Sequence, residues 1–216
     1  MPIIPDPRIP GERSKAPQAA ARLDFRFLVA VDVEGFSRRP AAEQKRVQDD
    51  LEYAMSVAAA NAGLDRKRWY RQPGGDGELA VLPANANGLS LVADYPRQLM
   101  LVLTEINHLA EPGARLRMRM AIHHGSVSPG LFGPFGTAPV VVSRLVDSHV
   151  LRQKLRKDND FDLALIVSSA VYDEVIQSRF HDLDPQAFCR VSTRSKGISY
   201  TGYLYEGCPA TARQPR

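Results

Sequence analysis

The chain is poor in the residues that make covalent or metal staples. Its 216 residues include only two cysteines, Cys189 and Cys208. They could pair with each other; in a reducing compartment they are expected as free thiols. Without CxxC spacing they do not make a zinc site. Long apolar runs are missing too. None approaches the ~20 residues that cross a bilayer, so no membrane partner is expected. Residues 1–22 are rich in Pro, Ala and Arg and have no apolar signal core. A cytoplasmic location is the expectation. The body also lacks an excess of one charge sign. The net +4 is carried by the ends: Arg8, Arg13, Lys15 and Arg22 outnumber Asp6 and Glu12, and Arg213 and Arg216 meet no acid in 208–216. The rest is balanced, so composition demands no nucleic-acid face, and nucleic acid is not an expected partner. The run Asp65-Arg66-Lys67-Arg68 reads as a solvated loop.

What is present is ordinary for a globular protein, with 44% hydrophobic and 24% charged residues. The expected organisation is a disordered Pro/Arg-rich arm at 1–22, one domain at 23–207 and a flexible tail at 208–216. Periodicity predicts a strand over 25–32. A helix over 41–62 follows, marked by Val47, Leu51, Ala54 or Met55, and Ala58 and closed by Gly63. Two short strands at 69–72 and 78–82 flank Pro73-Gly74-Gly75-Asp76-Gly77, a turn signal. A second helical region covers 88–110, restarted at Pro96 and stopped by Pro112-Gly113. A strand over 116–124, a glycine-rich loop or short hairpin over 125–136 and a helix over 140–155 come next. A strand at 163–167, a helix capped by Ser168 or Ser169, and strands at 187–192 and 200–206 complete the order. The fold class is α+β, a ferredoxin-like or palm-type, mainly antiparallel sheet with helices on its faces.

Two acids organise the chemistry. Asp32 ends the apolar run Phe27-Leu28-Val29-Ala30-Val31, and Gly35 follows in a turn whose amides can approach an anion. Asp76 sits at the tip of the glycine-rich hairpin. If these strands are neighbours, both carboxylates converge at one end of the sheet. Paired carboxylates that hold divalent cations suit phosphoryl transfer on a nucleotide. His123 and His124 are adjacent on a strand and point to opposite faces, so they read as structural.

On these residues the chain resembles the class III nucleotidyl cyclases over about 25–206. Phe27–Ser37 looks like the family's first metal motif, and Gly75-Asp76-Gly77-Glu78 with Leu79-Ala80-Val81 like its second. Arg117–Gly125 resembles the strand ending in G-I-H-x-G. Val142-Ser143-Arg144-Leu145 resembles the start of the catalytic helix, and Lys196-Gly197 the triphosphate lysine. The resemblance implies Asp32 and Asp76 as ligands of Mg²⁺ or Mn²⁺. It implies a phosphate cradle from Val33, Glu34, Gly35 and Phe36. Arg144 would stabilise the α-phosphate in the transition state, and Lys196 would pair with the terminal phosphates. It implies a nucleoside triphosphate substrate and a homodimer, with acids from one copy meeting arginine and lysine from the other.

The departures bear on substrate and rate. Val140 stands where the family has a ribose-binding Asn. Gln72 replaces the base-reading lysine, and the base-reading acid falls near Gly133. A glutamine both donates and accepts, so it could face guanine or a pyrimidine edge equally well. These losses support an alternative, a silent cyclase-like module that binds a nucleotide or a partner. Gly74–Glu78 is also similar to the diguanylate cyclase signature, but the Asp32 motif and the His-Gly strand fit class III better.

Overall fold

The computed structural model describes residues 23–111 and 114–207. The arm, the tail with Cys208, and the Pro112-Gly113 helix stop lie outside the described residues. Cys189 is free and exposed. Among the described residues no helix is long and apolar enough to cross a membrane.

In chain order the elements are β1 (Asp24–Val33), α1 (Ala41–Asn61), β2 (Tyr70–Pro73), β3 (Gly77–Val81), α2 (Tyr95–His108), β4 (Met118–Val127), α3 (Thr137–Val146), α4 (His149–Lys157), β5 (Leu163–Ser168), α5 (Ser169–Glu174), β6 (Phe188–Ser195) and β7 (Ile198–Tyr205). The strands form one seven-stranded sheet in the order β2-β3-β1-β4-β5-β7-β6. Every neighbouring pair is antiparallel except β4 with β5. The fold is the expected α+β sandwich.

Strand alternation divides the core into two layers. Val29, Val31 and Val33 of β1, with Met118, Met120 and Ile122 of β4, face Leu51, Met55, Leu99 and Leu103 of α1 and α2. Leu28 and Ala30 with Ala121 face Val142, Leu145 and Leu151 of α3 and α4. Asp32 has the parity of Leu28 and Ala30, and Arg119 that of Ala121. The period of two therefore sends both polar groups to the α3/α4 side.

Several boundaries differ from the expected ones for identifiable reasons. The expected single helix over 140–155 is two helices. Ser148 breaks it, and its hydroxyl accepts the Leu151 N–H at the start of α4. The three-to-four-residue spacing of Val142, Leu145, His149 and Arg152 continues across that break, which concealed it. A π turn over Ser90–Asp94 precedes α2, and Pro96 lies in the first turn of α2. A proline without an N–H fits there. The 125–136 loop is shorter than expected, because β4 runs on to Val127 and Ser128 bridges Phe135. The final hairpin is longer, pairing through Ser195 and Ile198 around a tight Lys196-Gly197 turn. Arg66 is not solvated: it is 6% exposed and bonds Glu52 and Glu78, bracing the β2–β3 hairpin against α1.

Candidate functional site

The register of β1 fixes the acids. Asp32 lies opposite Gly77 of β3, and the Val33 N–H donates to the Asp76 carbonyl at 2.8 Å. The hairpin tip is thereby tied to the end of β1. Asp32 and Asp76 line one open groove of about 440 Å³ with Gln72, Ser143, Arg144 and Asp147. Burial raises the Asp32 carboxyl from its ordinary range; the nearby Asp76 and Asp147 charges add to this, and Arg119 opposes it.

Arg119 joins the site without having been singled out in the sequence. It lies opposite Asp32 in the β1–β4 register, and its Nη2 donates to the Asp32 carboxylate. It is 9% exposed, and its Nε and Nη1 are buried without a hydrogen-bond partner. Alternation along 118–122 already put Arg119 on Asp32's side of the sheet once β1 and β4 were paired. The pairing itself was the missing knowledge.

The turn after β1 is held from both sides. Gly35 adopts φ +70°, in the left-handed region, and opens a short helical turn over Phe36–Arg38. The amides of Val33 and Glu34 are already committed, to the Asp76 and Arg117 carbonyls. An anion cradle here is thus left to Gly35 and Phe36. Arg117 pairs with Glu34 at 3.2 Å and also donates to the Leu155 and Asp158 carbonyls, fastening the end of α4 beside the turn.

The remaining candidates fall into two groups. Gln72 and Arg144 reach the groove that holds both acids, so Arg144 stands beside the acids of its own chain, whereas the resemblance implied an arginine from the other copy. Gly133 lies against Gln72: a Cβ there would come within 2.7 Å of Gln72 Oε1, and φ is +118°. No side chain stands opposite the glutamine at that position. Val140 is 47% exposed on α3 and is not part of the groove lining. Lys196 is exposed at the tip of the β6–β7 hairpin, and β4, β5 and β7 separate its sheet edge from β1. The structure does not bring it to the acids of its own chain.

The histidines take the structural places expected of them. His123 Nδ1 lies 2.8 Å from Ser168 Oγ, and His124 Nδ1 2.8 Å from a Glu174 oxygen. Among the described residues no group of three or more His, Cys, Asp or Glu is arranged to hold a metal ion. Two carboxylates, one of them partly desolvated, do suit Mg²⁺ or Mn²⁺ where substrate phosphates complete the coordination. Asp32 and Asp76 fit that requirement.

No protein-family model and no curated protein matches the sequence. Solved structures do match the fold. The guanylyl cyclase Cya2 is 16% identical with a TM-score of 0.61, covering 89% of this chain and 97% of its own. An adenylate/guanylate cyclase/hydrolase from Silicibacter pomeroyi is 18% identical with a TM-score of 0.60, covering 87% and 99%. A bacterial light-regulated adenylyl cyclase is 16% identical with a TM-score of 0.61, covering 87% of this chain and 53% of that one. The chain has the fold of class III adenylate/guanylate cyclase catalytic domains.

Proposed function

We propose that this chain, built on the class III cyclase fold, is a nucleotidyl cyclase. It converts a nucleoside triphosphate to a 3′,5′-cyclic nucleotide and pyrophosphate. The observation that carries the reading is the groove that gathers Asp32, Asp76, Gln72 and Arg144 in this fold. Asp32 and Asp76 would hold Mg²⁺ or Mn²⁺. Such ions, when bound, lower the pKa of the ribose 3′-hydroxyl and neutralise charge on the leaving phosphates.

In the reaction the 3′-oxygen bonds to the α-phosphorus in line as the bond to the bridging oxygen of the β-phosphate breaks. Pyrophosphate leaves with that electron pair, and the hydroxyl proton passes to water. Arg144 stabilises charge on the α-phosphate through a fixed guanidinium. The Gly35 and Phe36 amides face the outer phosphates, and Gln72 meets the base. A homodimer supplies what one chain does not: Lys196 reaches an acid pair only from a second copy.

A second reading keeps the fold without turnover, as a silent module that binds nucleotide. Val140 and Gly133 favour it, since neither supplies a polar side chain. One experiment separates the two. Purified protein is incubated with equimolar ATP, GTP, CTP and UTP and Mn²⁺, and products are read by mass spectrometry. One cyclic nucleotide that disappears in Asp76→Ala is the expected result. An unchanged mixture with retained nucleotide binding establishes the silent module.

A further inference from the structure

We propose that this chain grips the polyphosphate of its ligand with its own arginines, Arg38, Arg152 and Arg156, gathered around the buried Arg119. The identity of the ligand as a nucleotide rests on the cyclase reading; the polyphosphate grip does not.

A cavity of about 330 Å³ opens between the turn after β1 and helix α4, with Glu34, Gly35, Arg38, Arg119, Arg152 and Arg156 on its walls. It has room for roughly ten waters by liquid volume, hence for more than one phosphate. Its charges do not cancel. Glu34 is the one acid on its walls, and Arg117 already pairs with it. Arg152 holds Asp147, and Arg119 spends one nitrogen on Asp32. That leaves Arg119 Nε and Nη1 as buried donors without partners. Among the described residues neither Arg38 nor Arg156 forms an ion pair with any carboxylate.

The arrangement is built rather than accidental. The Arg117 bonds to the Leu155 and Asp158 carbonyls fasten α4, and buried Leu151 and Leu155 seat it on the sheet. Arg152 and Arg156, one helical turn apart, are thereby presented side by side to the cavity. Like charges at that spacing repel and gain when an anion comes between them. Arg38 folds back over the turn, its Nη2 within 3.1 Å of where a Gly35 Cβ would stand. Guanidinium forks match phosphate oxygens in pairs. All four arginines come from one chain, whereas that chain's own Lys196 lies at the far hairpin.

The test uses the full chain and inorganic tripolyphosphate, with affinity read by calorimetry. The variants are Arg152→Ala/Arg156→Ala, the charge-keeping Arg152→Lys/Arg156→Lys, and Arg46→Ala/Lys67→Ala, which removes two charges from other exposed sites. Thermal unfolding checks each fold. Wild type binds; the double alanine variant is weakened tenfold or more, the lysine variant less, and the control within twofold. Equal weakening by the control pair, or no binding by wild type, overturns the proposal. Binding through the arginines with no cyclic nucleotide formed upholds it while the cyclase reading falls.

Discussion

His123 should make the fold sensitive to mild acid. Burial, helped by the neighbouring His124, lowers its pKa from 6.5 to about 4. The folded state resists protonation, whereas the unfolded chain takes up a proton near 6.5. Stability is therefore fully present above that value and is lost as pH falls toward 4. The full loss is about 3 kcal/mol, from about 1.4 kcal/mol per tenfold change. Between about pH 7.5 and about pH 5 the part expressed is about 2 kcal/mol. For a domain of this size that lowers the melting temperature by roughly 4–8 °C. His123→Asn keeps a polar atom near Nδ1, within reach of Ser168 Oγ, and cannot take the proton. Thermal unfolding by circular dichroism at both pH values, on wild type and variant, isolates the term as a difference of differences. The variant should melt lower at neutral pH, because the side chain is smaller, yet lose less on acidification. A wild type that drops no further than the variant refutes the reasoning.

Two further substitutions probe the ribose contact and the hairpin brace. Val140→Asn adds a hydrogen-bonding group at an exposed helix position and should raise kcat/KM by roughly two- to twelvefold, the yield of one hydrogen bond; steady-state assays of cyclic product measure it, and no change in a folded variant means the position does not meet the ribose. Glu78→Gln removes the negative charge facing Arg66 and leaves only an amide oxygen to accept from it; the Glu78 and Arg66 side chains are 7% and 5% exposed, and the change should cost about 2–4 kcal/mol, less than a fully orphaned buried charge because Glu52 keeps its bond to Arg66. Denaturant unfolding reads this, and a loss under about 1 kcal/mol means Glu52 alone satisfies the guanidinium.

Much of the fold was legible in the sequence because it rests on local signals. Val47, Leu51, Met55 and Ala58 mark α1 by spacing, and Gly74-Gly75-Asp76-Gly77 marks a hairpin by turn chemistry. The acids' convergence followed from the expectation that β1 and β3 are neighbours. Features that depend on which strand lies beside which were hidden. Arg119 meets Asp32 only through the β1–β4 register, and Arg66 goes from a charged run to a buried brace only once α1 and β3 flank it. The α3/α4 break was hidden for another reason: Val142, Leu145, His149 and Arg152 keep a three-to-four-residue spacing across Ser148, so periodicity alone reads one helix.

The arginine basin shows how far one chain can go by itself. Asp32 is desolvated and lies near two more carboxylates, so its position needs positive charge, and Arg119 supplies it from the next strand. Divalent ions arriving with a polyphosphate would take over that role at Asp32. Arg119 would then be released toward the phosphates, joining Arg38, Arg152 and Arg156 without a change of backbone. Under this division the grip on the leaving group belongs to the chain that holds the metal acids. A second copy then adds Lys196 for turnover rather than for affinity. Ligand binding and turnover should accordingly separate on dilution: tripolyphosphate affinity per chain stays constant while cyclic product per chain falls with the dimer.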